Sequence, residues 1–151
     1  MLLCFIASLF ALIPIYSAAQ DSRITTTQIT GSENFSIPRV SQRPEIDGEI
    51  GTSEWASATR VELNYETDPG NNTPAPISTV AMLMEDGEVL YVAFVARDDN
   101  ISNIRAFLRD RDTTGRDDRV GIVLDTFNDE RRAYEFYVNP FGVQSDIVYD
   151  D

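Results

Sequence analysis

The stretch STVAMLMEDGEVLYVAFVAR, residues 78–97, decides the fold, because two apolar runs flank a short polar segment that contains an Asp-Gly pair. Successive side chains of a strand point to opposite faces, and in residues 89–97 both faces are apolar. An Asp-Gly pair between such runs favours a two-residue hairpin turn in which Asp86 and Gly87 both take positive φ. The sequence therefore predicts a hairpin whose second strand is central and covered on both sides.

Four further segments outside this hairpin show the pattern of short strands. They are residues 59–65, 119–125, 133–139 and 143–149. A polar connector, residues 125–132, is predicted to be a hairpin loop. Several short strands with little helix predict an all-β fold, an antiparallel β-sandwich of the immunoglobulin-like or jelly-roll type. Because the sequence stops directly after the last strand pattern, we expect the sandwich to be truncated at its C-terminus.

The segments between the predicted strands are mostly loops. Residues 68–76 contain three prolines and a glycine, which predicts a loop, and residues 110–119 predict a charged one. Residues 98–109 fit two structures. The spacing of their apolar residues suits a short helix, while Ile104 to Leu108 suits a strand equally well.

Residues 1–19 have the composition of a secretory signal peptide. The apolar run 2–15 is shorter than the roughly 20 residues that span a bilayer, and Ser17-Ala18-Ala19 resembles a signal-peptidase site. No Lys or Arg precedes the run, so a membrane anchor and a buried helix are the alternatives. Cleavage would remove Cys4, the one cysteine, and leave stability to a packed core.

The rest of the chain divides by composition into two parts. Residues 20–43 are rich in Thr, Ser and Gln and predict a leader or linker, and residues 44–151 predict the incomplete β-sandwich. With the signal peptide, this organisation predicts a secreted, periplasmic or cell-envelope-associated protein without a membrane span in the mature segment.

Composition excludes several function classes. The formal charge of −13 opposes nucleic-acid binding. The chain has no His, so a Ser-His-Asp triad cannot form, and zinc would find only carboxylates after cleavage. Glycosidases need two carboxylates about 5–10 Å apart, but 25 acidic residues produce such pairs by chance. We therefore expect this segment to bind without catalytic activity, and a full-length parent protein with glycoside hydrolase activity stays an open alternative.

Several motifs occur in a characteristic order along the chain. They are Ile46-Asp47-Gly48 with Trp55, DGEVLYVAF at 86–94, Asp117-Asp118-Arg119, and VGIVLDTFND…AYEFYVNPFGVQSD at 120–146. In this set the chain, from Ile46 to Asp151, resembles the family 9 carbohydrate-binding domain. The closer similarity is to the version at the N-terminus of large bacterial secreted or outer-membrane proteins, ahead of a β-rich C-terminal region of unknown function.

The resemblance implies an antiparallel β-sandwich, non-catalytic sugar binding linked to polysaccharide degradation and carbohydrate catabolism, and structural calcium. Sugar-binding members of the family hold the sugar between two tryptophans, whereas Trp55 is the single tryptophan here. Its place in the Asp47-Gly48…Trp55 motif implies core packing. Two functions stay open: an oligosaccharide- or polysaccharide-binding module, or a docking domain that has lost the sugar and contacts its own C-terminal region or a surface partner.

The strand 133–139 supplies the candidate sugar-binding residues. Glu135, Tyr137 and Asn139 share one face and offer a carboxylate, an aromatic ring and an amide, the groups that a sugar site needs. Arg109 and Asp118 are the expected polar helpers. The alternative is an ordinary strand with one core face and one solvent face.

Acidic residues near the predicted strand ends are the candidate calcium ligands. Calcium takes about six to eight oxygen ligands, which acidic loops supply. The candidates are Asp98, Asp99, Asp117, Asp118 and Asp125. The alternative is a solvated loop region whose acids are offset by Arg109, Arg111, Arg116 and Arg119.

Overall fold

The computed structural model describes residues 35–66 and 71–150, together with the backbone of the strands Leu2–Ala7 and Thr27–Gln28. Apart from that backbone, the predicted signal peptide (residues 1–19) and the first part of the predicted leader lie outside the described residues. The chain divides into two compact units. The N-terminal unit comprises Met1–Cys4 and Ser8–Asp98, and the C-terminal unit comprises Phe5–Ala7 and Asp99–Asp151.

The larger sheet has five strands in the order β1-β5-β4-β3-β2. The strands are β1 (Leu2–Ala7), β2 (Thr27–Gln28), β3 (Thr59–Glu66), β4 (Thr73–Glu85) and β5 (Val89–Arg97). From β3 to β5 the pairing is antiparallel, while the short β2 pairs with β3 in parallel.

The predicted β4–β5 hairpin is confirmed, with Glu85 opposite Leu90 in the register. The predicted turn type was wrong, because only Gly87, at φ 93°, takes positive φ and Asp86 does not. The Asp86 side chain explains the difference. Its Oδ1 accepts hydrogen bonds from the N–H groups of Glu88 at 2.9 Å and Val89 at 2.8 Å, which closes a three-residue connector.

Strand β5 is buried on both faces, as its sequence predicts. Its first six residues, Val89 to Phe94, are all buried. On the neighbouring β4, the side chains of Met82 and Met84 are fully excluded from solvent. Full burial of an apolar side chain of this size stabilises the fold by about 1.5–3 kcal/mol, so the β4–β5 hairpin provides much of the core of its unit.

Residues 73–76 belong to strand β4, so the prediction of a loop throughout 68–76 was wrong at its C-terminal end. Pro74 lies opposite Tyr65 of β3. Proline lacks a backbone N–H donor and is tolerated in a strand where one side has no partner. Pairing with β5 begins only at Ser78, so the prolines cost no hydrogen bonds to that strand.

Part of the segment predicted as a linker contacts the sheet. The N–H of Val40 donates to the Glu85 carbonyl at 2.7 Å, and the N–H of Glu85 donates to the Pro38 carbonyl at 3.0 Å. Residues 38–40 therefore lie alongside the end of β4.

The Asp47-Gly48…Trp55 motif forms successive turns. The Asp47 carboxylate accepts a hydrogen bond from the Glu49 N–H at 2.8 Å, and Gly48 takes φ 88°, which favours glycine. Trp55 is 1% exposed, so its predicted packing role is confirmed.

The C-terminal unit contains a three-stranded antiparallel sheet, β6 (Val120–Leu124), β7 (Arg132–Val138) and β8 (Gln144–Asp150), with β7 in the centre. Residues 98–109 contain only a 3-10 turn, Ile101–Asn103, which Asn100 caps through its side chain. The alternative of a strand from Ile104 to Leu108 was therefore wrong.

The chain is all-β, which confirms the predicted fold class. The packing of the two sheets as a sandwich stays a prediction. Within the part of the chain that the structure describes, no helix has the length and apolar character needed to cross a membrane.

Candidate functional site

Tyr137 stands at the centre of the predicted sugar-binding face. Its hydroxyl donates a hydrogen bond to the Glu135 carboxylate at 2.9 Å. The guanidinium carbon of Arg119 lies 4.0 Å from the centroid of the Tyr137 ring, a distance at which the cation is attracted to the ring. Glu135 and Tyr137 therefore contact each other as predicted. Arg119 adds a guanidinium group to the site, and the sequence analysis did not predict this residue there.

Gly121 makes room for this ring. It lies opposite Tyr137 in the β6–β7 register, and a Cβ atom at Gly121 would come within 2.3 Å of the ring's Cδ1 atom. A glycine inside a strand permits such a close approach. The ring is therefore packed against the backbone of β6.

The ionisation of Tyr137 follows from these neighbours. Burial raises the pKa of the phenol, and the hydrogen bond to Glu135 and that residue's negative charge raise it further, against the opposing effect of Arg119. The hydroxyl stays protonated in neutral solution and acts as a hydrogen-bond donor.

Exposed apolar side chains surround the cluster on the same face. Glu135 lies between Val123 of β6 and Ile147 of β8 in the register, and Tyr149 of β8 lies opposite Ala133. Val123, Ile147 and Tyr149 are all exposed. The surface thus combines a carboxylate, a guanidinium and an open aromatic ring.

Asn139 does not belong to this surface. Its side chain is fully buried, and its Nδ2 donates to the Phe107 carbonyl and to the Asp117 carboxylate, both at 2.9 Å. Its Oδ1 accepts from the N–H groups of Phe141 and Val143, both at 3.0 Å. Every polar atom of the amide is engaged inside the protein, so Asn139 has none to offer a sugar.

Asp117 is the buried partner of Asn139. Burial opposes its ionisation, but hydrogen bonds from the Asn139 amide and the Phe107 N–H, with the charges of Arg109 and Arg105, prevail and hold the pKa of the carboxyl below its usual value. The Asp117 Oδ1 lies 3.2 Å from the Arg109 guanidinium but accepts no hydrogen bond from it. That contact is therefore an ion pair.

Arg109 and Asp118, the predicted polar helpers, make their contacts within the loop that precedes β6. The Arg105 N–H donates to the Asp118 carboxylate at 2.8 Å, and the Asp118 N–H donates to the Arg105 carbonyl at 2.7 Å. Over residues 35–66 and 71–150, neither Arg109 nor Asp118 makes a hydrogen bond or ion pair with Tyr137 or Glu135.

Asp125 closes the β6–β7 connector, whose predicted hairpin is confirmed. Its carboxylate accepts hydrogen bonds from the N–H groups of Phe127 at 2.9 Å, Asn128 at 2.7 Å and Glu130 at 2.9 Å. The Glu130 bond contributes most to lowering the pKa of Asp125, against partial burial, with smaller contributions from the other two bonds. Backbone donors therefore occupy these oxygens.

The calcium site stays a prediction. Asp117 and Asp125 are engaged as described above, and Asp98 and Asp99 follow the end of β5. Throughout the ranges that the structure describes, no three acidic side chains are placed to hold a metal ion.

A second polar cluster, at the β4–β5 connector, was missed by the sequence analysis. The Asp86 carboxylate accepts a hydrogen bond from the Tyr91 hydroxyl at 2.9 Å and pairs with Arg43 at 2.6 Å. The N–H of Glu88 contributes most to lowering the pKa of Asp86 to about 2; partial burial opposes the shift, while Val89, Tyr91 and Arg43 support it. Because Arg43 is distant in sequence, only the fold reveals this cluster.

A polar hollow of about 360 Å³ lies beside this cluster, lined by residues 39–44 and by Ser53, Glu54 and Ser57. The hydroxyls and guanidinium groups in its wall suit a small polar ligand. No aromatic ring belongs to the described lining, so the hollow lacks the stacking surface that the Tyr137 face provides.

A scan of the chain against protein-family models finds no match, and searches of curated proteins and of solved structures also find none.

Proposed function

We propose that this chain is a non-catalytic carbohydrate-binding module of a secreted protein, with its sugar site on the face of the C-terminal sheet that bears Tyr137. The observation that carries the proposal is the contact of Tyr137 with both Glu135 and Arg119. The resemblance to the family 9 carbohydrate-binding domain supports the same function, and the predicted signal peptide supports secretion to the periplasm or cell envelope.

The chemistry of the cluster suits a sugar. Sugar hydroxyls both donate and accept hydrogen bonds, and Glu135 supplies an acceptor while Arg119 supplies donors. The C–H face of a sugar packs against an aromatic ring. Arg119 lies over the ring of Tyr137, whereas the ring of Tyr149 is about half exposed. A sugar would therefore stack on Tyr149 and take its hydrogen bonds from the Tyr137 cluster.

Calorimetric titration with soluble glucan and xylan oligosaccharides, with and without EDTA, tests the proposal. Replacing Glu135 by Gln removes a charged acceptor and keeps its shape. Because a hydrogen bond to a charged group contributes about 1.5–3 kcal/mol, affinity should fall at least about tenfold. Tyr134→Phe on the opposite face of β7 is the matched control and should leave affinity unchanged. Equal affinity with EDTA would argue against a role for the predicted calcium in binding.

A docking domain without sugar binding is the second candidate. The burial of Trp55 favours it, because the one tryptophan of the chain cannot take part in an exposed clamp. Absence of binding to every oligosaccharide at high protein concentration would contradict the first function and favour this one.

A further inference from the structure

Two Asp-Gly-Glu triplets occur in the chain, at residues 47–49 and 86–88. An aspartate followed by glycine isomerises readily, because glycine has no Cβ to hinder the approach of its nitrogen to the neighbouring carboxyl group. The reacting residues are the same in both triplets. A large difference in their reactivity would therefore come from the structure around them.

The second triplet is fixed by the β4–β5 connector. Three hydrogen bonds, described above, hold the Asp86 carboxylate. The nitrogen that would attack it is engaged as well, because the Gly87 N–H donates to the Glu85 carboxylate. Turning the Asp86 carboxylate toward the Gly87 nitrogen would break all of these bonds.

Ionisation adds to this protection. The pKa of Asp86 lies at about 2, and the N–H of Glu88 contributes most to lowering it. At neutral pH almost none of the Asp86 carboxyl is protonated. The protonated form is the one from which a hydroxyl leaves as water, so the reactive species is scarce at this position.

The first triplet lacks these restraints. Asp47 is exposed, and its carboxylate accepts one hydrogen bond, from the Glu49 N–H at 2.8 Å. Within residues 35–66 and 71–150, the Gly48 N–H donates to no partner and the Asp47 carboxylate forms no ion pair. Local opening of a segment with so few hydrogen bonds requires little free energy.

We propose that Asp47-Gly48 is a site of spontaneous covalent modification, at which aspartate isomerises to isoaspartate in the folded protein while Asp86-Gly87 stays unmodified. The Gly48 nitrogen attacks Cγ of Asp47. A bond forms between these two atoms, and the amide proton leaves with the carboxyl hydroxyl as water. The product is a five-membered cyclic imide.

Water then opens this imide at one of its two carbonyl carbons. Cleavage of the new bond at Cγ restores Asp47. Cleavage of the original peptide bond instead leaves Gly48 attached through the side chain of residue 47, which is isoaspartate. One water is released and one is taken up, so the reaction needs no oxidant, reductant or cofactor.

Isoaspartate changes the backbone of the Asp47-Gly48…Trp55 motif. The main chain gains one methylene group between residues 47 and 48, and a carboxylate on Cα replaces the original side chain. The hydrogen bond from the Glu49 N–H then loses its acceptor geometry. The modification therefore alters the first turn of the motif that contains the buried Trp55.

Incubation of the folded protein at neutral pH, below its unfolding temperature, tests the proposal. Trypsin cleaves after arginine, and Arg60 lies between the two triplets, so they occur in different peptides. Chromatography and electron-transfer fragmentation then identify isoaspartate. It should accumulate at residue 47 at least about tenfold faster than at residue 86, because a hydrogen bond to a charged group contributes about 1.5–3 kcal/mol. In urea the two rates should agree within about threefold.

Two variants test the two sides of the comparison. Asp47→Glu should abolish the product at residue 47, because closure of the larger ring is much slower, and should leave residue 86 unchanged. Glu85→Ala removes the acceptor of the Gly87 N–H and should raise the rate at residue 86 about threefold or more.

Equal rates at the two triplets in the folded protein, or a faster rate at residue 86, would overturn the proposal. So would the absence of isoaspartate at residue 47 in the folded protein when both triplets react in urea, since the Asp47 turn would then be as protected as the β4–β5 connector. Absence of the product at both triplets in urea would overturn the chemistry itself.

Discussion

The side-chain amide of Asn139 donates a hydrogen bond to the carboxylate of Asp117 at 2.9 Å, and both residues are buried. This bond joins the β7–β8 turn to the loop that precedes β6. Thr114 and Ser145 form a parallel link, with their hydroxyl oxygens 2.6 Å apart. The loop is thus fastened to the C-terminal sheet by buried polar contacts.

Replacing Asn139 by Asp should destabilise the protein strongly. The change sets a second carboxylate against Asp117 and removes the donor to the Phe107 carbonyl, and breaking a buried charged contact costs about 3–5 kcal/mol. Denaturant unfolding measures the loss. Asn103→Asp makes the same chemical change at an exposed position and should stay within about 0.5 kcal/mol of wild type. Equal effects of the two variants would show that the Asn139–Asp117 contact does not stabilise the fold.

Asn139 also shows why part of the site was wrongly predicted from the sequence. Alternation along β7 places residue 139 on the same face as Tyr137, which was the basis of the prediction. The partners that bury it, Phe107 and Asp117, are 32 and 22 residues away in sequence. Local periodicity carries no information on such contacts, and the strand has already ended at Val138.

The strands themselves were predictable because their signal is local. The apolar runs of β4 and β5 and the alternation in β7 each determine a strand without knowledge of the rest of the fold. Turn geometry was less predictable: the Asp86 side chain accepts backbone hydrogen bonds that a positive-φ Asp-Gly turn does not require. Arg119 was not predicted at the site because its contact with Tyr137 joins the residue before β6 to strand β7, and these residues are distant in sequence.

Gly121→Ala should destabilise the C-terminal sheet. The new Cβ would meet the Tyr137 ring at 2.3 Å and the Phe136 carbonyl oxygen at 2.6 Å, and the backbone oxygen cannot move without disturbing β7. Overpacking of this kind costs about 1–3 kcal/mol. A Cβ at Gly115 meets nothing within 4 Å, so Gly115→Ala is the control and should be neutral or slightly stabilising. A drop in melting temperature for Gly115→Ala as large as that for Gly121→Ala would contradict the packing described.

The Asp86 cluster should contribute stability that depends on pH. The pKa of Asp86 lies at about 2, below its usual 3.8. A carboxyl with a lowered folded-state pKa contributes fully above its unfolded pKa, and this contribution is lost as the pH falls through the folded value. Asp86→Asn should therefore lower the free energy of unfolding at pH 6, and the difference from wild type should shrink between pH 4 and 2. A difference that stays constant over this range would contradict the lowered pKa. Carbon-detected NMR titration of the carboxyl gives a direct check.

Trp55 should behave as a fully buried fluorophore, and it is the only tryptophan. Its emission should be blue-shifted and resistant to acrylamide in the folded protein, and it should move to longer wavelength on unfolding. Trp55→Ala should cost about 3–5 kcal/mol, because it leaves a large cavity in the N-terminal unit. Red-shifted, readily quenched emission from the folded protein would contradict the burial of Trp55.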